Sequence, residues 1–171
     1  VFYQGTRTEY YSEYNERLNF GYRWYDSIDV DPQFWFGHGL SYTDFEYDDV
    51  SIKVNPDGCM IDVSVKVTNV GDVAGADCVQ VYVGAIADEN KPEYVQTSEK
   101  QLCQFSRTEV LEPGESEVLT MTIGKRMLSY WDSELDLIER EDGTSDKWVV
   151  AEGYRDIMIS TSADDNDVIY K

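Results

Sequence analysis

The chain has 171 residues, of which 42% are hydrophobic and 13% aromatic, so it is long and apolar enough to form one compact domain. Fourteen lysines and arginines face 34 aspartates and glutamates, which gives a formal net charge of −20. Such a surface repels the phosphates of nucleic acids and anionic lipids. The sequence has no run of about 18 apolar residues, the length that a bilayer-spanning helix needs. We therefore expect neither a nucleic-acid partner nor a membrane partner.

The cysteines predict neither a zinc site nor a disulfide framework, because Cys59, Cys78 and Cys103 are odd in number, far apart and without a CxxC pair. Free thiols in a reducing compartment fit this spacing; one disulfide with one remaining thiol is the alternative. The first residues, from Val1 onward, do not resemble a signal peptide. We expect a piece of a longer protein, cytoplasmic rather than secreted, with no cofactor.

Residues 1–36 form a leader that is rich in aromatic side chains but has no sustained alternating pattern. It has too few aliphatic residues to build a core of its own, and tyrosine and tryptophan are enriched where two surfaces meet. We therefore predict that this irregular aromatic leader packs against a neighbouring domain. The candidate interface residues are Tyr22, Trp24, Tyr25, Phe34, Trp35, Phe36 and His38.

From residue 41 onward, apolar and polar residues alternate repeatedly, which is typical of half-buried antiparallel strands. The segments FEYDDVSIKV and MIDVSVKVTNV flank the turn NPDG, and this order predicts a β-hairpin. No amphipathic helix of convincing length is present. The sequence therefore predicts an all-β sandwich of about seven strands over residues 37–171, of the immunoglobulin or fibronectin type III class. The further strand candidates are DCVQVYV, VLTMTI, DIMIS, QLCQF, MLSYW and KWVVAEG.

The only histidine, His38, lies between two glycines in FGHGLSYT, a setting that invites a catalytic interpretation. No G-x-S-x-G motif accompanies it, and Ser41 does not complete a triad. Gly37 and Gly39 more simply allow a sharp turn before the first strand, and we expect neither to tolerate valine. We predict that His38 hydrogen-bonds across this turn and that it is not a catalytic residue.

Acidic side chains are too frequent in this chain for a neighbouring pair, such as Glu139 with Glu141, to indicate a glycosidase site. The run DDND at 164–167 lacks the glycine and the distal glutamate of an EF-hand loop, so no metal site is predicted. The tryptophans could stack on sugar rings: Trp24, Trp35, Trp131 and Trp148. Core packing is the preferred interpretation of Trp148, and docking to another domain is preferred for Trp24 and Trp35. The long polar connections 85–99 and 132–146 are interpreted as solvated loops.

Four motifs in order resemble the C-terminal part of the family 3 glycoside hydrolases, the β-glucosidase and β-xylosidase family. They are GYRWYD at 21–26, FGHGLSYTDFEY at 36–47, VTNVGDVAGADCVQVYV at 67–83 and VLEPGESEVLTM at 110–121. Two residues depart from the family pattern: Trp35 stands where proline is usual, and Gln104 where glycine is usual. The resemblance implies that residues 1–36 end an α/β sandwich domain and that a fibronectin type III-like domain follows.

The resemblance also implies that the catalytic carboxylates belong to a barrel and to an α/β sandwich domain outside this segment. No catalytic residue is therefore carried over to this chain, and a non-catalytic docking domain of a retaining glycosidase is the preferred hypothesis. Its expected partners are those two domains and, for the parent, a β-linked oligosaccharide or glycoside; a homodimer is left open. The alternatives are a carbohydrate-binding module that uses the leader aromatics and a protein-interaction module.

Overall fold

The computed structural model describes residues 13–56, 58–139 and 145–171. The start of the leader, with Tyr3, Tyr10 and Tyr11, and the candidate carboxylate of Glu141 lie outside the described residues. None of the helices in the described part is long and apolar enough to cross a bilayer.

Within these residues, secondary structure is dominated by strands, with one short helix and three turns of 3₁₀ helix. The helix is α1 (Tyr22–Ser27), and the 3₁₀ turns span Asp88–Asn90, Lys125–Leu128 and Asp165–Asp167. The strands are β1 (Phe45–Val54), β2 (Ile61–Asn69), β3 (Cys78–Gly84), β4 (Lys100–Arg107), β5 (Ser116–Ile123), β6 (Ser129–Trp131), β7 (Ile138–Glu139), β8 (Ser145–Asp146), β9 (Trp148–Val150), β10 (Ile157–Ser160) and β11 (Val168–Tyr170).

Two antiparallel sheets form the sandwich. One has the strand order β1-β2-β5, and the other has the order β11-β10-β3-β4, which together make seven strands. The predicted hairpin is confirmed, since β1 pairs antiparallel with β2 from Phe45 opposite Asn69 to Val54 opposite Ile61. The all-β sandwich predicted from the alternating pattern is therefore the observed fold.

The core lies between the facing surfaces of the two sheets. Along β2, Val63, Val65 and Val67 are fully buried, and the residues between them are more exposed, as a half-buried strand requires. They meet alternate residues of β3 and β5, such as Val81 and Met121, in a single hydrophobic cluster. Burying a valine or methionine side chain stabilises a fold by about 1.5–3 kcal/mol, so this cluster holds the two sheets together.

Strand β3 is buried on both faces, because the outer face of its sheet is covered as well. Tyr82 and Met158 form a second, smaller cluster on that face, and Tyr22 and Trp35 of the leader pack against it. The leader is therefore a covering layer on the four-stranded sheet of its own chain.

Some elements differ from the expectation. The segments MLSYW and KWVVAEG do form strands, but they pair with each other as a separate two-stranded sheet, with Trp131 opposite Trp148. The sandwich instead gains β11, in which Tyr170 pairs with Ile159 of β10 and which the sequence pattern did not indicate.

Candidate functional site

Tyr22 attaches the leader to the sandwich. Its hydroxyl oxygen accepts a hydrogen bond from the backbone N–H of Leu102 on β4, at 2.8 Å. Its ring meets the ring of Tyr82 edge to face, with the centroids 5.8 Å apart and the planes at 88°. Because Tyr82 is 1% exposed, Tyr22 closes the outer face of the sheet.

A second attachment is a buried ion pair between Asp26 at the end of α1 and Lys100 at the start of β4. The two groups lie 3.3 Å apart, and both side chains are 8% exposed. Lys100 also pairs with Asp165 at 2.7 Å, and its ammonium lies 5.4 Å from the ring centroid of Trp35. Burial raises the pKa of Asp26, and the nearby ammonium of Lys100 only partly opposes that rise.

The FGHGLSYT segment connects this leader to the sandwich, and we call residues 36–43 the joint. The carbonyl of Phe36 accepts a hydrogen bond from the N–H of Ala163 at 2.8 Å. Gly37 has φ of +89°, and a Cβ there would overlap with the side-chain nitrogen of Gln80. Gln80 is itself fixed, since it donates to the carbonyl of Thr161 and accepts from the hydroxyl of Tyr82. The joint therefore requires glycine at position 37.

The expectation of a special backbone conformation at Gly39 is wrong. Its φ is not in the left-handed region, and a Cβ added at this residue would have no heavy atom within 4 Å beyond its chain neighbours. Only the first of the two glycines that flank His38 is therefore required by the backbone and by packing.

His38 lies on the surface of the joint. Its ring stacks on that of Phe34, with the centroids 5.0 Å apart and the planes at 26°. Its backbone N–H donates to the carbonyl of Trp35 at 3.0 Å, which closes a local turn. These contacts give the imidazole a packing role beside an exposed aromatic ring.

The predicted interface residues divide into two groups. Tyr22 and Trp35 are half-buried and face the sandwich of the same chain, whereas the remaining five are exposed: Trp24, Tyr25, Phe34, Phe36 and His38. Two more apolar residues of the joint, Leu40 and Tyr42, are 96% and 97% exposed. The sequence analysis did not single out this pair, although both lie within the FGHGLSYT motif.

The two residues that depart from the family pattern have local partners. The ring of Trp35 packs at 72° against that of Tyr25, with the centroids 6.4 Å apart. The side-chain amide of Gln104 on β4 donates to the carbonyl of Thr122 on β5 at 2.9 Å and so connects the two sheets. Each substitution therefore adds a contact that the residue usual at that position could not make.

The acidic run DDND stabilises its own turn. Asp164 caps it by accepting from the N–H of Asn166 at 2.9 Å, and Asp167 accepts from the hydroxyl of Ser162 at 2.5 Å. Over residues 13–56, 58–139 and 145–171, no three acidic, cysteine or histidine side chains are grouped as a metal ion would need.

These features define a β-sandwich domain that carries its own aromatic covering segment and leaves an apolar joint exposed. The sequence profile of the fibronectin type III-like domain matches residues 77–163. The chain belongs to this family.

Similar proteins include β-glucosidases. Thermostable β-glucosidase B of Acetivibrio thermocellus is 39% identical over 159 residues, which are 92% of this chain and 20% of that enzyme. A β-glucosidase of Bacteroides ovatus is 39% identical over 142 residues, 81% of this chain and 18% of the enzyme. The crystal structure of DesR, a β-glucosidase from Streptomyces venezuelae in complex with D-glucose, superposes with a TM-score of 0.75 at 32% identity. That match covers 91% of this chain and 18% of DesR. The chain thus spans about a fifth of the length of these larger enzymes.

Proposed function

We propose that this chain is a non-catalytic docking domain of a β-glucosidase-type glycoside hydrolase, and that the joint and the leader contact the rest of the enzyme. The observation that carries the proposal is the exposure of four apolar side chains that lie close together in the sequence, Phe34, Phe36, Leu40 and Tyr42. Such side chains, when exposed close together in sequence, commonly mark a contact with another domain.

In this proposal the parent cleaves terminal β-linked sugars with two carboxylates that belong to its barrel and α/β sandwich domains. The similarity to β-glucosidases over about a fifth of their length supports this division of roles. The chain would contribute stability to the assembled enzyme. A cytoplasmic location and a homodimer stay predictions.

The test uses a chimera in which this chain replaces its matching segment in the A. thermocellus β-glucosidase. We expect the chimera to hydrolyse an aryl β-glucoside, whereas the isolated chain is expected to show no turnover. In the chimera, the variants Leu40→Ser and Tyr42→Ser should lower the melting temperature. The same variants should leave the melting temperature of the isolated chain unchanged, because neither side chain packs within it.

Tyr154→Ser is the matched control, since Tyr154 is 100% exposed but lies far from the joint in sequence. It should leave both the chimera and the isolated chain unchanged. Equal melting of the chimera with and without the Leu40 and Tyr42 variants would show that the joint is not a docking surface. If the isolated chain shows turnover, and replacing one of its own carboxylates abolishes that turnover, the domain is catalytic.

The leader aromatics give less support to the carbohydrate-binding alternative. A sugar platform needs open ring faces, and the ring of Trp35 is already covered by Tyr25 and Lys100. Of these two tryptophans, Trp24 is exposed and Trp35 is half-buried.

A further inference from the structure

We propose that a cavity lined by none of the exposed residues of the joint binds a sugar with an exocyclic anionic group, a carboxylate or a phosphate. The cavity has a volume of about 620 Å³ and lies between the leader, the segment 86–101 and the two-stranded β6–β9 sheet. Small-molecule sites commonly measure about 300–1,000 Å³, so one or two sugar rings would fit. The inference does not depend on the docking role proposed above.

The first observation is the charge of the lining. Four of the chain's 14 basic residues line the cavity, namely Arg17, Arg23, Arg126 and Arg155, whereas none of its 34 acidic residues is among the lining residues that the structure describes. In a chain with a net charge of −20, a cavity whose charged lining residues, among those described, are all cations is an unusual local environment. It attracts an anion and disfavours cations.

The part of the chain that the structure describes provides no carboxylate that neutralises these guanidinium groups. Within the described residues, none of the four forms an ion pair at 4.0 Å or less. Arg155 is held in place by donating to the carbonyls of Gly84 and Leu128, at 2.9 and 3.3 Å, so its charge stays fixed at the wall of the cavity. A bound carboxylate or phosphate would supply the missing negative charge.

The second observation is a wall of aromatic rings. Trp131 and Trp148 meet edge to face, with their centroids 5.2 Å apart, and the guanidinium of Arg126 covers the ring of Trp148 at 3.0 Å from its centroid. Trp131 is 46% exposed, and Tyr94 and Tyr130 line the same cavity. A flat aromatic face packs against the C–H groups of a sugar ring, a contact that an inorganic anion cannot use.

The remaining polar lining suits hydroxyl groups. Ser129, Ser133 and Thr97 contribute hydroxyls, and Gln96 and Gln101 contribute side-chain amides. These neutral groups both donate and accept hydrogen bonds, as sugar hydroxyls require. This cavity combines aromatic rings, neutral hydrogen-bonding groups and arginines that form no ion pair with a described carboxylate. Together they match an anionic sugar better than a neutral sugar or a bare anion.

Isothermal titration of the full chain at low salt tests the proposal. The probes are glucuronic acid and glucose 6-phosphate, compared with cellobiose, inorganic phosphate and a short polyglutamate peptide. One of the two anionic sugars should bind at least about tenfold more tightly than each of the other three probes. The affinity should fall as salt is added, because salt screens the guanidinium charges.

Two variants examine the two walls of the cavity. Arg126→Gln removes a charge and Trp131→Ala removes an exposed ring, and each should weaken binding by at least about tenfold. Arg107→Gln on β4 is the matched control; it makes the same change of charge outside the cavity and should leave the affinity unchanged. Melting curves of all three variants verify that they are folded.

Five results would overturn the proposal. Equal binding of cellobiose would indicate a neutral-sugar site, equal binding of phosphate would indicate an anion site, and preference for polyglutamate would indicate a peptide site. If neither anionic sugar binds at millimolar concentration, the cavity is not a binding site for anionic sugars. Binding that Arg107→Gln weakens as much as Arg126→Gln would likewise count against it, since the effect would then reflect net charge rather than the cavity.

Discussion

Replacing Asn69 with alanine is expected to lower the free energy of unfolding by about 4 kcal/mol. Asn69 is fully buried at the end of β2, where its side-chain amide donates to the carbonyls of Val73 and Leu111, both at 2.8 Å. Its side-chain oxygen accepts from the hydroxyl of Thr43 at 2.6 Å and from the N–H of Gly71 at 3.1 Å. One side chain thereby connects the joint, the turn after β2 and the segment before β5.

The magnitude follows from the groups that alanine would leave without a partner. The bonds to Leu111 and Thr43 are buried, whereas those to Val73 and Gly71 are partly exposed, so water can replace the amide only at the latter two. A buried polar group without a partner costs about 1–3 kcal/mol, so the two buried groups together cost about 2–6 kcal/mol. In a domain of this length, a loss of about 4 kcal/mol lowers the melting temperature by roughly 8–16 °C.

Urea denaturation followed by tryptophan fluorescence measures this loss. Asn55→Ala is the matched control, because among the described residues the side chain of Asn55 accepts one exposed hydrogen bond, from the N–H of Met60 at 2.9 Å. Its replacement should cost less than about 1 kcal/mol. If Asn69→Ala loses no more stability than Asn55→Ala, the reasoning from buried partners is refuted.

The variant Asn69→Asp tests the same set of buried hydrogen bonds in a second way. An ionised carboxylate cannot donate to the two carbonyls, so this variant should be at least as unstable as Asn69→Ala at neutral pH. Burial raises the pKa of a carboxyl group above its unfolded value of about 3.9, so the variant should gain stability as the pH falls through the folded pKa. A gain of stability with rising pH would contradict this sign.

Three further predictions concern the joint, the buried ion pair and a buried thiol. Gly37→Ala should destabilise the chain by about 2 kcal/mol, since φ is +89° and its Cβ would meet a fixed glutamine, whereas Gly39→Ala should be nearly neutral in the same urea titration. Burial raises the pKa of Asp26 above 3.8. The unfolding free energy of the wild type relative to Asp26→Asn should therefore fall as the pH rises from about 3.8 to the folded pKa, and it should stay level above that pKa. A free-energy difference that rises with pH across this window would contradict the assignment. Burial raises the pKa of Cys103 to about 11, so at pH 8 iodoacetamide should label it about a hundredfold more slowly than the unfolded chain, as mass spectrometry of the peptide can measure, and equal rates would show an accessible thiolate.

The sandwich could be predicted wherever a strand is long enough to show its alternation. In β2, five alternate residues are buried, and β2 pairs with β1 as the predicted hairpin requires. Strand β11 has only three residues and follows an acidic turn, so no period can be read from it. Its position depends on pairing with β10, which is a tertiary contact rather than a local preference.

The site could be predicted only in part. Aromatic composition predicted that the leader packs against a neighbouring domain, whereas the structure shows Tyr22 and Trp35 packed on the sandwich of their own chain. Composition does not tell which side of the segment faces which surface. Phe34 and Trp35 are adjacent in sequence, yet Phe34 is 65% exposed and Trp35 packs on the sandwich. Lys100 and Asp26 come from distant segments, so no local motif could show that they form an ion pair.

The leader acts as a layer with two apolar sides. Its inner side, with Tyr22 and Trp35, is matched by the outer face of the four-stranded sheet, while Phe36 and Leu40 remain exposed beside it. Because Tyr22 and Trp35 pack on the sandwich and Tyr22 accepts a hydrogen bond from a strand backbone, the leader should stay attached to this domain when other domains are absent. A docking partner would then meet a surface already ordered by these contacts, and association would cost less conformational entropy than the folding of a free segment.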